Sequence, residues 1–188
     1  MAAPLHLLDA LPIRTERLLL TRLDASHLPA LAAMLADPIV MRFFPRVMTL
    51  DESQQWLRRT IDRYALHGTG LLAVLREDAR GGDPEFLGDC GVLVRDFGGR
   101  THLELGYHFA RHAWGRGYAT EAAAASLRLG FGATDAREIV ALIRPENAPS
   151  QRVARRLAMH REGAVLHNGL VHDIWRIGRQ EAGALALQ

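Results

Sequence analysis

Apolar positions along this chain follow two rhythms, one of nearly four residues and one of two, and the switches between them mark its elements. Leu28, Leu31 and Leu35 share a helical stripe behind Asp24, whose carboxylate suits a cap, so a helix is predicted through about Leu35. Thr49 to Glu52 has the form of a capping box, Leu57, Ile61 and Tyr64 follow at helical spacing, and Gly68 ends that helix. Ala119, Ala123, Leu127 and Phe131 recur every fourth residue and predict a third helix. Asn147 predicts the cap of a fourth, running through Leu157. The remaining apolar segments read as strands: Arg17–Leu23, Leu71–Leu75, Phe86–Arg95, Thr101–Phe109, Ile139–Ile143, Val165–Leu166 and His172–Ile177. Turns are predicted at Gly81, Gly82, Asp83 and Pro84, and again over Phe97–Arg100. The uninterrupted apolar run Ile139–Ile143 suits a strand covered on both faces. Strands that first meander and then alternate with helices imply one mixed α/β (α+β) sheet with helices on it, a single domain over residues 1–188.

Composition narrows the function. Hydrophobic residues make up 48% and charged residues 23%, the balance of a globular protein. Twenty-three basic residues against 21 acidic ones leave no dominant basic stripe, so no nucleic acid is expected as a partner. All 23 are Arg, which offers planar forks for phosphate or carboxylate. The single cysteine, Cys90, excludes an intrachain disulfide and a cysteine-rich zinc site, and on an apolar strand it reads as a small core residue. No run approaches the ~20 apolar residues of a membrane span, and Asp9 interrupts the short apolar stretch near the start. A cytoplasmic protein is the expectation.

The chemistry is concentrated at HAWGRGYATEA, residues 112–122, where Gly115 and Gly117 lie between a long strand and an amphipathic helix. Free backbone N–H groups at the positive end of a helix make an anion seat, and side chains are missing where an anion needs to approach. A Walker loop is excluded because the chain has no Lys. A dinucleotide fingerprint fails because Thr120 stands where its third glycine belongs, and Glu138 precedes its strand instead of ending it.

A third pattern fits. ELGYHF (104–109), WGRGYATEA (114–122) and IRPENAPSQRV (143–153), followed by LAM (157–159), resemble the GNAT superfamily of acyl-CoA N-acyltransferases. The closer likeness is to its RimJ/RimL-like branch, which acetylates N-terminal amines of ribosomal proteins and includes relatives with other substrates. IRTERLLLTRL (13–23) and GLVHDI (169–174) share that likeness, so it covers nearly the whole chain. It implies a mostly antiparallel sheet of about seven strands with about four helices, and a splayed strand pair that forms the acyl-CoA cleft. Acetyl-CoA is then the co-substrate, no metal takes part, and the acceptor is a primary amine attacked directly. The acceptor is a protein N-terminus or a small molecule such as an amino acid, polyamine or antibiotic. The chain works as a monomer or homodimer, and a non-catalytic acyl-CoA-binding module is the alternative to an enzyme.

The resemblance also carries residue roles. Gly115, Arg116, Gly117, Ala119 and Thr120 are expected to hold the CoA pyrophosphate, mostly through backbone amides. Trp114 occupies a place usually held by Gln or Arg, a departure that Rim-like members share, and is expected to pack on the core. Thr101–Phe109 is expected to part from Ile139–Ile143 through a bulge, with an amide near His108 or Phe109 facing the acetyl oxygen. Asn147 caps its helix and is implied to bond the pantetheine arm, and Ser150 is implied to protonate the leaving thiolate. An amine of pKa ~8 or ~10.4 must first lose a proton. Glu104 is the first choice of base because strand alternation puts it on one face with His102, Gly106 and His108, and His108 is the second. Arg152, Arg155 and Arg156 form either a solvated helix face or a contact to the 3′-phosphate of CoA. His160, His167 and His172 lie at the surface or along the acceptor cleft.

Overall fold

A computed structural model describes residues 6–77 and 82–184, which excludes Gly81 of the turn expected over 81–84. Strands β1 (Ile13–Arg14), β2 (Leu19–Arg22), β3 (Gly70–Arg76), β4 (Glu85–Phe97) and β5 (Arg100–Phe109) form an antiparallel meander. Strands β6 (Glu138–Ile143), β7 (His160–His167) and β8 (Leu170–Gly178) extend it in the order β1-β2-β3-β4-β5-β6-β8-β7. The helices are α1 (Leu28–Ala36), α2 (Leu50–His67), α3 (Tyr118–Gly132), α4 (Ala148–Arg156) and α5 (Arg179–Ala184). The expected mixed sheet is therefore present, with β1 and α5 added because two strand residues and one short helix carry no readable period.

Alternation along β3 sorts the helices onto two faces. Leu72 and Val74 pack with Ala122, Leu127 and Phe131 of α3, whereas Leu71, Ala73 and Leu75 pack with α1 and α2. Thr49 caps α2 reciprocally: its Oγ1 accepts from Glu52 N at 3.3 Å, and its own N–H donates to Glu52 Oε2 at 2.8 Å. Gly68, at φ 66°, ends the helix as expected. Ile61 departs from the expected stripe and is 38% exposed, because α2 turns Ser53, Leu57, Thr60 and Tyr64 inward. Asp24 caps a single 3₁₀ turn rather than α1 itself. Pro29 explains the delay, since its ring would collide with the Ala25 carbonyl if the α-helix began a turn earlier.

Two features of the sheet build a cleft. Among the described residues only β5 and β6 pair in parallel, and they are bridged at one position, Glu104 with Val140. The expected bulge is not in β5, which pairs with β4 without interruption from Arg100 to Phe109. The interruption falls on β4, where Leu87 is skipped between the pairs Val74–Gly88 and Leu75–Phe86. Gly88 lies there against the end of β5, and a Cβ on it would sit 2.1 Å from the His108 carbonyl oxygen at a φ of +153°. Gly88→Ala is expected to destabilise the protein by at least ~2 kcal/mol in chemical denaturation. Unchanged stability would contradict this packing.

Candidate active site

The glycine loop has the form of an anion seat. Gly115 and Gly117 adopt φ of 75° and 81°, and Gly117 serves as the N-cap of α3. Among the described residues, the amides of Gly115 through Thr120 donate to no carbonyl, because the helical ladder opens with Glu121 N to the Gly117 carbonyl at 3.1 Å. Among the described residues, no atom beyond Gly115 and its chain neighbours lies within 4 Å of the place where a Cβ on Gly115 would stand, so the loop is open from that side.

A clamp sets the loop's position. The Arg17 guanidinium donates to the Arg116 carbonyl at 2.9 Å and to Glu121 Oε2 at 2.7 Å. Thr15 Oγ1 and the Arg17 amide donate to Glu121 Oε1 at 2.6 and 2.9 Å. Burial works against the Glu121 charge, but these donors outweigh it and hold its pKa below the ordinary value. Glu121 also lies in the first turn of α3, where the helix dipole favours an anion.

From this loop a cavity of about 550 Å³ runs into the split between β5 and β6. Glu104, His108, Phe109, Gly115, Gly117, Ala119, Thr120, Asn147 and Ser150 all line it, while Arg116 contributes its carbonyl to the clamp. Its charged lining is Arg42, Arg95, Arg144, Arg152 and Arg156 against Glu104, an excess of positive charge that favours an anionic ligand. Arg155 instead lies 5.1 Å over the Trp175 ring. His167 and His172 line the cavity, and His160 sits apart beside Glu181. Among the described residues no cluster of three His, Cys, Asp or Glu could hold a metal ion, and no helix is long and apolar enough to cross a membrane.

Trp114 does not pack in the core. It is 38% exposed at the cavity rim, and its Nε1 donates to the Phe109 carbonyl at 2.7 Å. The indole nitrogen needs a partner, and the last carbonyl of β5 is the one within reach. Alternation then orients the end of β5. The Ala110 amide donates to Leu87 of β4, so His108 shares that direction and the Phe109 backbone faces the parted side. Asn147 caps α4, its Oδ1 accepting from Ser150 N at 3.1 Å. Tyr107, its phenol pushed up by burial, donates to the Ser150 carbonyl at 3.0 Å and fixes that first turn against β5.

Both basic candidates on β5 already have partners. Arg95 Nε donates to Glu104 Oε2 at 2.5 Å, in a pair with little solvent exposure. His108 Nδ1 is 2.7 Å from Oδ1 of Asp89, whose side chain is fully buried. Asp89, Arg95 and the Arg17–Glu121 clamp were not foreseen. The register of β4 on β5 places Asp89 opposite His108, but no spacing within one strand reveals a cross-strand partner. Within the segment 88–91 the cysteine draws attention, yet Cys90 is core and burial pushes its thiol up to about 12.

The pattern that defines the acetyltransferase (GNAT) domain matches residues 17–160 of this chain. The chain belongs to that family. The uncharacterised protein YkkB of Bacillus subtilis is 38% identical over 124 residues, spanning 66% of this chain and 70% of its own. The uncharacterised N-acetyltransferase YnaD of the same organism is 31% identical over 156 residues, covering 80% and 84%. Mycobacterium smegmatis RimJ, solved in complex with CoA-disulfide, superposes with a TM-score of 0.66 at 21% identity over 90% and 88% of the two chains, a likeness of fold. The protein is an acetyl-CoA-dependent acyltransferase.

If the clamp holds the loop in its seat-forming shape, Arg17→Ala should weaken CoA binding about tenfold by calorimetry, the scale of one charge-assisted hydrogen bond. An unchanged Kd would show that the loop holds its shape unaided.

Proposed function

We propose that the protein acetylates a primary amine, and that this amine is the N-terminal α-amine of a polypeptide. In this reading the amides of Gly115, Gly117, Ala119 and Thr120 hold the pyrophosphate of acetyl-CoA, helped by Arg116. Arg152 and Arg156 take up further phosphate charge. The Asn147 side chain caps α4 with its oxygen and keeps its NH₂ for the pantetheine arm. The Phe109 amide faces the acetyl oxygen as charge develops on it, a role typically worth ~3 kcal/mol of barrier. Ser150 gives its hydroxyl proton to the departing thiolate. Glu104 draws the acceptor's ammonium into the cleft and is, with His108, one of two groups able to take its proton. A cytosolic location accompanies this reading.

The observation that carries the cofactor assignment is the set of amides at the head of α3 that have no carbonyl partner among the described residues, opening into a cavity with a positive lining. What supports a polypeptide acceptor is the rim. Ile39, Phe44 and Trp114 stand 37%, 39% and 38% exposed around an open mouth, apolar surface that an extended chain covers on binding. A small amine would leave that surface in water.

Thiol release from acetyl-CoA tests the reading. Peptides with free N-termini should give release, and the same peptides with blocked N-termini should give little. Release with polyamines or aminoglycosides in place of peptides would move the acceptor to the small-molecule class. Binding of acetyl-CoA without release from any amine would remove the catalytic claim. Gly117→Glu should abolish acetyl-CoA binding, since it puts bulk and negative charge at the pyrophosphate seat. Ser150→Ala should lower kcat about 100-fold while acetyl-CoA affinity stays within twofold. An unaltered kcat removes Ser150 from the mechanism.

A further inference from the structure

The buried carboxylate of Asp89 has no evident structural purpose. It is fully buried, its Oδ1 meets His108 Nδ1 at 2.7 Å, and its Oδ2 has no hydrogen-bond partner among the described residues. An ionisable group so placed costs several kcal/mol of desolvation unless something charged repays it. The partner in contact is an imidazole that lines the cavity. His108 is itself enclosed, its ring tilted against Phe44 at 5.1 Å and edge-on to Trp56 at 6.3 Å between centroids. These rings restrict its rotation. With Nδ1 committed to Asp89, Nε2 is the nitrogen left for the cavity.

We propose that His108 Nε2 is the site that accepts the acceptor amine's proton, with Asp89 as the residue that positions the ring and fixes its tautomer. The proposal rests on the acetyl-transfer reading above. Asp89 in its carboxylate form can only accept, so the neutral imidazole must carry its hydrogen on Nδ1, leaving a lone pair on Nε2. An ammonium acceptor gives one proton to Nε2 and becomes a free amine. Its nitrogen lone pair attacks the thioester carbonyl carbon, forming the C–N bond and an oxyanion. The intermediate collapses as the C–S bond breaks. The second nitrogen-bound proton passes to the sulfur through the Ser150 hydroxyl, which gives up one proton and takes one back. The imidazolium then releases its proton to solvent, so the products are the amide, CoA thiol and H⁺.

The surrounding charges agree with this assignment. Burial alone would depress the His108 pKa, but the Asp89 carboxylate, and more weakly Glu104, outweigh it and raise the value above 6.5. Arg95 on β4 opposes the rise. From α2, Trp56 faces the ring without charge, while Tyr64 and Arg63 act at longer range on Asp89 and on the Arg95–Glu104 pair. Glu104 is already neutralised in part by Arg95 and acts on the imidazole by charge. A raised pKa means that the neutral, proton-accepting form is complete only above that value. The enzyme's contribution to kcat/KM therefore rises with pH through it. Asp89→Asn removes the largest raising influence and must move this limb to lower pH. Its amide can also donate to Nδ1, which favours the tautomer with the ring hydrogen on Nε2 and lowers the fraction of enzyme able to accept the proton.

The test uses the full chain and two readouts. Nitrogen-15 NMR of histidine-labelled protein, with His108→Gln to assign the resonance among nine histidines, reports tautomer and titration directly. The expected result is an Nδ1–H tautomer that titrates above 6.5. An Nε2–H tautomer, or titration at or below 6.5, overturns the dyad whatever the activity. In the second readout, Asp89→Asn should lower kcat about 100-fold. It should also shift the acidic limb of kcat/KM to lower pH, with the KM for acetyl-CoA within twofold. The amine's own ionisation is common to all variants and cancels in that shift. Glu104→Gln should move the limb less and keep more activity than His108→Gln. A limb that follows Glu104→Gln and ignores Asp89→Asn overturns the proposal. So does thiol release that survives both Asp89→Asn and His108→Gln. Wild-type protein with the expected titration but no thiol release from any amine overturns the acetyl-transfer reading instead.

Discussion

Beyond the bridge between Glu104 and Val140, β5 and β6 stop pairing, and the backbone that would have closed the sheet faces a cavity instead. Unpaired backbone groups inside a protein are costly, so such a split persists only where a ligand or water takes the missing bonds. The elements on either side keep it open. The Trp114 indole holds the Phe109 carbonyl, Tyr107 ties β5 to the first turn of α4, and Asn147 starts that helix on the far wall. One failure of strand pairing thus supplies both the cleft and the direction in which the Phe109 amide points.

Charge is distributed along that cleft in an order that suits the reaction. Free amides at the head of α3 and the Arg side chains of α4 take the phosphate end in the proposed reading, and the carboxylates of Asp89 and Glu104 lie on β4 and β5. Each carboxylate is matched, Asp89 to His108 and Glu104 to Arg95, so neither is an isolated buried charge. The Arg17–Glu121 clamp belongs to the same scheme. It anchors the chain ahead of β2 to the glycine loop, and so couples that side of the sheet to the head of α3.

Helix caps and the glycine loop were legible in the sequence because each is local. Thr49 with Glu52, Gly68, and Asn147 act within one turn of their own positions, and Gly115 and Gly117 announce their backbone freedom by type. The resemblance of 104–109, 114–122 and 143–153 to one family then supplied the mostly antiparallel sheet and the splayed strand pair around them. What stayed hidden is cross-chain. Asp89 faces His108 through strand register, and Arg17 reaches Glu121 across 104 residues of sequence. Trp114 misled because a large apolar residue beside an apolar strand suggests core, whereas its nitrogen needed a carbonyl at the rim. The parting of β5 from β6 could be inferred only from the family, since neither strand's residues differ from those of a paired one.

The position of the coenzyme A diphosphate decides whether the glycine loop is the cofactor's seat. A crystal structure of the complex measures this directly. Phosphate oxygens are expected within hydrogen-bond distance of the Gly115, Gly117, Ala119 and Thr120 amides, with the pantetheine arm between β5 and β6. Coenzyme A bound elsewhere on the protein, with those amides left to solvent, would contradict this placement.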